Sequence, residues 1–195
     1  DQSKRWLDAN VTLAAQLHEA GHLLDGFALC SDYCFNTNPF FRPDQFDEFI
    51  VPWLKQGMGE YRKLGYYSIK HTDGNMMPIL RQMADCKPDA IHSLDPQGGV
   101  SIPELRKIVG DDICHIGNVN CGLLQTGTEE ELREILRDFL WKIRAKETTA
   151  NLPIMLGTSE READLRFSLI LLEEYEALDI FDPKIHILYR KGVNE

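Results

Sequence analysis

Two neighbouring stretches decide the fold: Tyr66-Tyr-Ser-Ile-Lys-His71-Thr-Asp-Gly-Asn75, and Asp89-Ala-Ile-His-Ser-Leu94-Asp-Pro-Gln-Gly-Gly99. Each opens on a short strand-like run and closes on polar, turn-forming residues. Between them, Pro78 starts a helical pattern carrying Ile79, Leu80 and Met83. A strand, a polar turn, a helix and a second strand at such compact spacing make a βα repeat, which requires a parallel sheet.

The same unit recurs on both sides. Gly26 to Asp32 reads as a strand, and Pro43 opens a helix with Phe46, Phe49, Ile50 and Trp53 on one face and a kink at Pro52. Further on, Asp112 to Ile116 and Leu152 to Leu156 read as the fourth and fifth strands. Ser101 with Glu104 and Thr128 with Glu131 have the capping-box spacing of helix starts. The second box leads Leu132, Ile135, Leu136, Phe139, Leu140 and Ile143, the clearest amphipathic stretch. Ahead of the first strand, Trp6, Leu13, Leu17, Ala20 and Leu24 have helical spacing. The strands read as near-continuous apolar runs, as expected for a parallel sheet buried on both faces. The fold class is therefore α/β.

The chain has 195 residues, with 21 Lys+Arg against 31 Asp+Glu and a formal charge of −10. Such a surface repels phosphate, and no basic stripe overrides it, so nucleic acid is an unexpected partner. No apolar run approaches the ~20 residues that span a bilayer, so no membrane association is expected. Five cysteines without a C-x-x-C pair fit reduced thiols in a cytoplasmic protein.

In parallel α/β folds, ligands bind beyond the C-terminal ends of the strands. All five predicted strands end in polar groups there: Asp32 with Ser31; His71, Asp73 and Asn75; Asp95 with Gln97; Asn118 with Asn120; and Thr158 with Ser159. A shared polar rim explains this recurrence. His71 and Asp73, two residues apart at a strand end, can point to one side and serve metal ligation, proton transfer or substrate binding. The alternative is a turn in which Asp73 bonds backbone N–H groups and Gly74 supplies a positive φ. His92, inside the third strand, reads as a packed histidine. His18-Glu-Ala-Gly-His22 matches the H-E-x-x-H zinc-protease pattern, but Gly21 and Asp25-Gly26 end the helix where the second ligand would need support.

An ordered series of motifs resembles the uroporphyrinogen decarboxylase superfamily: Glu19-Ala-Gly21, Ser31-Asp32, Phe35-Asn-Thr37, Pro39-Phe40, Phe46-Asp-Glu-Phe49, Pro52-Trp-Leu-Lys55, His71-Thr-Asp-Gly-Asn75, Asp89-Ala-Ile-His-Ser-Leu94, Gly117-Asn-Val-Asn120 and Gly127-Thr-Glu-Glu130. The resemblance implies a (β/α)8 barrel of TIM type, of which residues 1–159 supply about the C-terminal five βα units. Residues 160–195 add a helix and strand of unassigned place. It also implies an enzyme, either the decarboxylase or one of the corrinoid-dependent methyltransferases. The methyltransferase branch fits better, because a late Gly-His-Gly element has no match near Gly157 and the decarboxylase's arginine-rich segment is missing.

That branch implies methyl transfer between a small methylated substrate and a corrinoid or corrinoid protein. Catalysis would fall to His71 and Asp73, and substrate binding to Asp32, Asn75, Asp95, Asn118 and Asn120. The branch's zinc is held by a His-x-Cys pair and a later Cys. Here Asp73 stands at the first Cys position and Thr158-Ser159 at the second, leaving His71 and Asp73 as candidate ligands. A full barrel usually needs ~250 residues, so five strands are expected to pair with a second copy in a homodimer or with a missing N-terminal half.

Overall fold

A computed structural model of the chain describes residues 2–21, 24–110, 112–118 and 120–144. Its elements run α1 (Gln2–Glu19), β1 (Gly26–Cys30), α2 (Pro43–Phe49), α3 (Val51–Lys63), β2 (Tyr67–His71), α4 (Leu80–Asp85), β3 (Ala90–Ser93), α5 (Ile102–Val109), β4 (Cys114–Gly117), α6 (Cys121–Thr126) and α7 (Glu129–Arg144). Short 3-10 turns at Met77–Ile79 and Pro96–Gly98 precede α4 and α5. The strands stand in the order β1-β2-β3-β4, and the β1–β2 and β2–β3 pairs are parallel. This is the predicted α/β alternation of a TIM-type barrel. The fifth predicted strand and the helix and strand of residues 160–195 lie outside the described residues.

Contacts divide the chain into residues 1–115 and 116–195. In the first unit, helices cover one face of β1–β3. Phe46, Met76, Leu80, Met83, Ile91 and Leu105 form one buried cluster. Ala14, Leu29, Leu54, Met58, Tyr61 and Tyr66 form another. α1 turns a different stripe inward from the predicted one: Leu7 and Ala14, one heptad apart, are buried, while Trp6 and Leu13 are half exposed. The reason is α3, where Gly57 lacks a Cβ that would stand 3.1 Å from Leu7 Cδ1, so this small residue admits the leucine. Phe49 is likewise exposed, not on a buried face with Phe46. The chain breaks between α2 and α3 at Ile50, and Pro52 sits in the first turn of α3, where its missing N–H costs nothing.

Backbone packing holds the loops above the strands together. Gly74 has φ +79°, and a Cβ there would lie 2.5 Å from the Phe35 carbonyl oxygen. Gly98 is pressed against Gly74 in turn, its Cβ position 2.5 Å from the Gly74 carbonyl carbon. Asn75 N–H donates to the Phe35 carbonyl at 2.8 Å. The loops after β1, β2 and β3 are thus stacked on glycines, which fixes the ends of the strands that carry the polar rim.

β4 begins beside β3, with Cys114 N–H donating to the Asp89 carbonyl at 2.9 Å. In the second unit the capping box at Thr128 is formed: Glu131 Oε2 accepts from Thr128 N–H at 2.8 Å, and Thr128 Oγ1 from Glu131 N–H at 3.3 Å. Leu132 and Leu136 of α7 are buried. The predicted box at Ser101 is not formed, since Ser101 caps α5 without a side-chain bond.

Candidate functional site

β2 departs from the expected apolar run. Its alternate positions Ser68, Lys70 and, just beyond the strand, Thr72 are all polar and all buried. They lie on one face by the two-residue strand period, and each ties β2 to a neighbour. Ser68 Oγ donates to Asp89 Oδ2 at 2.9 Å, and Thr72 Oγ1 accepts from Tyr33 N–H at 2.8 Å. Lys70 Nζ donates to the carbonyls of Leu29 (3.1 Å) and Ser31 (2.9 Å), to Ser31 Oγ (3.0 Å) and to the His71 carbonyl. Burial pushes the Lys70 ammonium down to about 8, with Cys30, Asp32 and Cys34 acting to raise it. It therefore remains charged at neutral pH.

The opposite face carries the candidate site. Parallel register sets Cys30 against His71 and His71 against His92, so three strands bring these residues into one row. Asp32 and Asp73 follow two residues after Cys30 and His71 and rise above that row. His71 Nε2 lies 3.6 Å from Asp32 Oδ1 and 3.9 Å from Asp73 Oδ2. His71 Nδ1 meets His92 Nδ1 at 2.7 Å. Asp32 Oδ1 also accepts from Asp73 N–H at 3.1 Å, which pins the two carboxylate-bearing loops together. Burial, then the neighbouring His71, holds His92 below the usual histidine value, with Asp73 acting against them.

The donor atoms of Asp32, His71 and Asp73 all lie within 4.8 Å of one another. One imidazole and two carboxylates suit a divalent cation that accepts nitrogen and oxygen donors. They include no thiolate, so they do not form the sulfur-ligated zinc centre that the resemblance to the methyltransferase branch implies.

Three of the other predicted site residues, Asn75, Asp95 and Asn120, bond backbone groups. Asn75 Oδ1 accepts from Met77 N–H at 3.2 Å and its Nδ2 donates to the Thr37 carbonyl at 3.0 Å. Asp95 caps the Pro96–Gly98 turn through Gln97 N–H at 2.8 Å. In the second unit, Asn120 caps α6 through Leu123 N–H at 3.1 Å, and Asn118 stands at φ +79° after β4. Thr158 and Ser159 lie outside the described residues. His92, read as a packed histidine, instead contacts His71 directly. In the protease-like motif, His18 lies in the last turn of α1, which ends at Glu19, and His22 lies outside the described residues.

A cavity of about 350 Å³ lies beside Leu29, Ser31 and Tyr33, walled by Trp6 and Trp53. His71 and Asp73 are not among its lining residues, whereas Cys30, which stands in register with His71, is.

Parallel βα units with a polar cluster at the strand ends place the chain among the barrel enzymes' architectures. The family model for uroporphyrinogen decarboxylase (URO-D) matches residues 8–152, and the chain belongs to that family. A solved methyltransferase from Methanosarcina mazei has the same fold, with a TM-score of 0.65 at 19% identity over 89% of this chain and 47% of that one. This chain thus spans about half the length of that methyltransferase. No curated protein matches it in sequence. Among the described residues, no helix is long and apolar enough to cross a membrane.

Proposed function

We propose that the protein is a methyltransferase acting on a small methylated oxygen compound, with a reduced corrinoid as methyl acceptor, and that Asp32, His71, Asp73 and His92 form its working centre. The observation that carries this reading is the arrangement around His71, with one ring nitrogen facing two carboxylates and the other bonded to a second histidine. Family membership and the methyltransferase neighbour support the reaction class.

In this reading the methyl group leaves the substrate oxygen for the acceptor, and the oxygen keeps the bonding pair and needs a proton. His71 supplies it from Nε2. Only one of the two facing Nδ1 atoms can donate in their hydrogen bond. With that proton on His71 Nδ1, His92 Nδ1 accepts, and a His71 ring protonated on both nitrogens holds its second proton on Nε2, ready for transfer. As that proton departs, His71 is left as a neutral ring that keeps its Nδ1 proton in the bond to His92 Nδ1, and His92 stays neutral throughout. Asp32 and Asp73 stabilise the positive charge of the protonated His71 ring before the transfer. With Nε2 unprotonated, the same carboxylates and His71 Nε2 would instead hold a divalent cation, which would polarise the substrate oxygen in place of that proton.

The test is methyl transfer to cob(I)alamin, followed by the visible spectrum of methylcobalamin across a panel of methyl ethers and methylated alcohols. His71→Ala is expected to lower the rate by ~10²–10⁴-fold, the usual worth of a positioned acid–base group. Undiminished transfer by that variant would remove His71 from the role. Carbon dioxide release from a porphyrinogen, without methyl transfer, would favour a decarboxylase-like reaction instead.

A further inference from the structure

We infer that Lys70 is a positioning residue for the Asp32–His71–Asp73 cluster: its buried ammonium locks the C-terminal ends of β1 and β2 together and thereby sets the distance between Asp32 and His71. The functional reading above does not use Lys70, and the inference deepens that reading where it concerns cation binding.

Lys70 is fully buried and stands in register with Leu29, on the face of β2 opposite His71. A buried lysine placed only to fill space would be replaceable by an apolar side chain, and a charge there would be costly unless fully bonded. Lys70 is fully bonded. Three N–H donors meet four oxygens, those of Leu29, Ser31 (two) and His71. The ammonium also sits 4.3 Å from the Tyr33 ring centroid, a cation–π contact.

The location of these acceptors gives the cage its consequence. Ser31 immediately precedes Asp32, and the His71 carbonyl belongs to the residue whose Nε2 faces Asp32. Beyond Cys30 the β1–β2 ladder has only a long bond, from Ser31 N–H to the His71 carbonyl at 3.4 Å. Lys70 therefore adds short bonds between the two strand ends where the ladder weakens, below those from Tyr33 N–H to Thr72 Oγ1 and from Asp73 N–H to Asp32 Oδ1. Outer groups that orient ligating side chains typically govern metal affinity by ~10–100-fold.

Three proteins decide the inference: wild type, Lys70→Met and Ser31→Ala, each checked for folding by circular dichroism. Co²⁺ alone is the probe, read through its d–d absorption, and the imidazole ¹⁵N shifts of His71 are recorded without metal, with His18 on α1 as the control. The expected result is Co²⁺ binding weakened by ~10–100-fold in Lys70→Met, with an altered spectrum. Ser31→Ala should give a smaller change of the same kind, and the metal-free shifts should move at His71 but not at His18. A folded Lys70→Met protein with wild-type affinity and unchanged His71 shifts overturns the inference. If wild type binds no Co²⁺, the cation reading fails by itself, and the metal-free shifts still decide Lys70. If Lys70→Met does not fold, Ser31→Ala decides: unchanged His71 shifts overturn the inference, and moved ones support it.

Discussion

Cys86 shows how one buried side chain sets a solution property. It lies at the end of α4, donating weakly to the Gln82 carbonyl at 3.3 Å, and burial pushes its thiol up to about 11 from 9.0. The unfolded chain loses that proton first, so the stability Cys86 contributes is fully present below about pH 9 and is lost as pH rises through 11. Cys34, also raised to about 11 by burial, acts in the same sense. Lys70, lowered to about 8, acts in the opposite one. The comparison that isolates Cys86 is therefore wild type against Cys86→Ala in urea unfolding. The stability gap between them is expected to narrow by ~1–2 kcal/mol from about pH 8 to about pH 11. At this scale, His71 and Asp73 were legible because residues two apart in a strand share a face. His92 was not, because its contact with His71 depends on how two strands slide past one another. β3 begins opposite Ile69, not opposite Tyr67, and this stagger belongs to barrel closure and not to local sequence.

At the scale of elements, the two capping-box spacings had different fates. Thr128 and Glu131 form reciprocal bonds, whereas Ser101 makes no side-chain cap bond. Thr128→Ala should therefore loosen the first turn of α7 by about 1 kcal/mol, whereas Ser101→Ala should change the start of α5 by a few tenths at most. Amide hydrogen exchange over residues 129–133 and 102–106 measures both. Spacing alone could not separate the two cases, since a cap bond depends on the rotamer and approach angle of the preceding loop. β2 offers the converse lesson. Ser68, Lys70 and Thr72 stood in plain view at alternate positions, a signal for a polar face. Its burial became intelligible only with Asp89, Ser31 and Tyr33 as partners.

For the whole molecule, the charge of −10 acts through its summed field. The protein should show no association with duplex DNA at physiological salt tighter than ~10⁻⁴ M, the weak end of non-specific binding, in a fluorescence anisotropy titration. Salt-sensitive binding at micromolar concentration would contradict this and require a local basic surface. The sequence by itself determined the alternation of strands and helices, the parallel sheet and the placement of polar groups at strand ends, because these follow from local periodicity and turn chemistry. It also carried enough ordered motifs to indicate the URO-D family. Only the tertiary structure decided which rim residues meet. Asp95 and Asn120 satisfy backbone groups of their own loops and Asn75 also reaches the Thr37 carbonyl in the loop after β1, while Asp32, His71, Asp73 and His92 come from three strands and meet through register. Side chains tens of residues apart become neighbours only when the ladder between their strands is fixed, and here a buried lysine ties the ends of two of those strands.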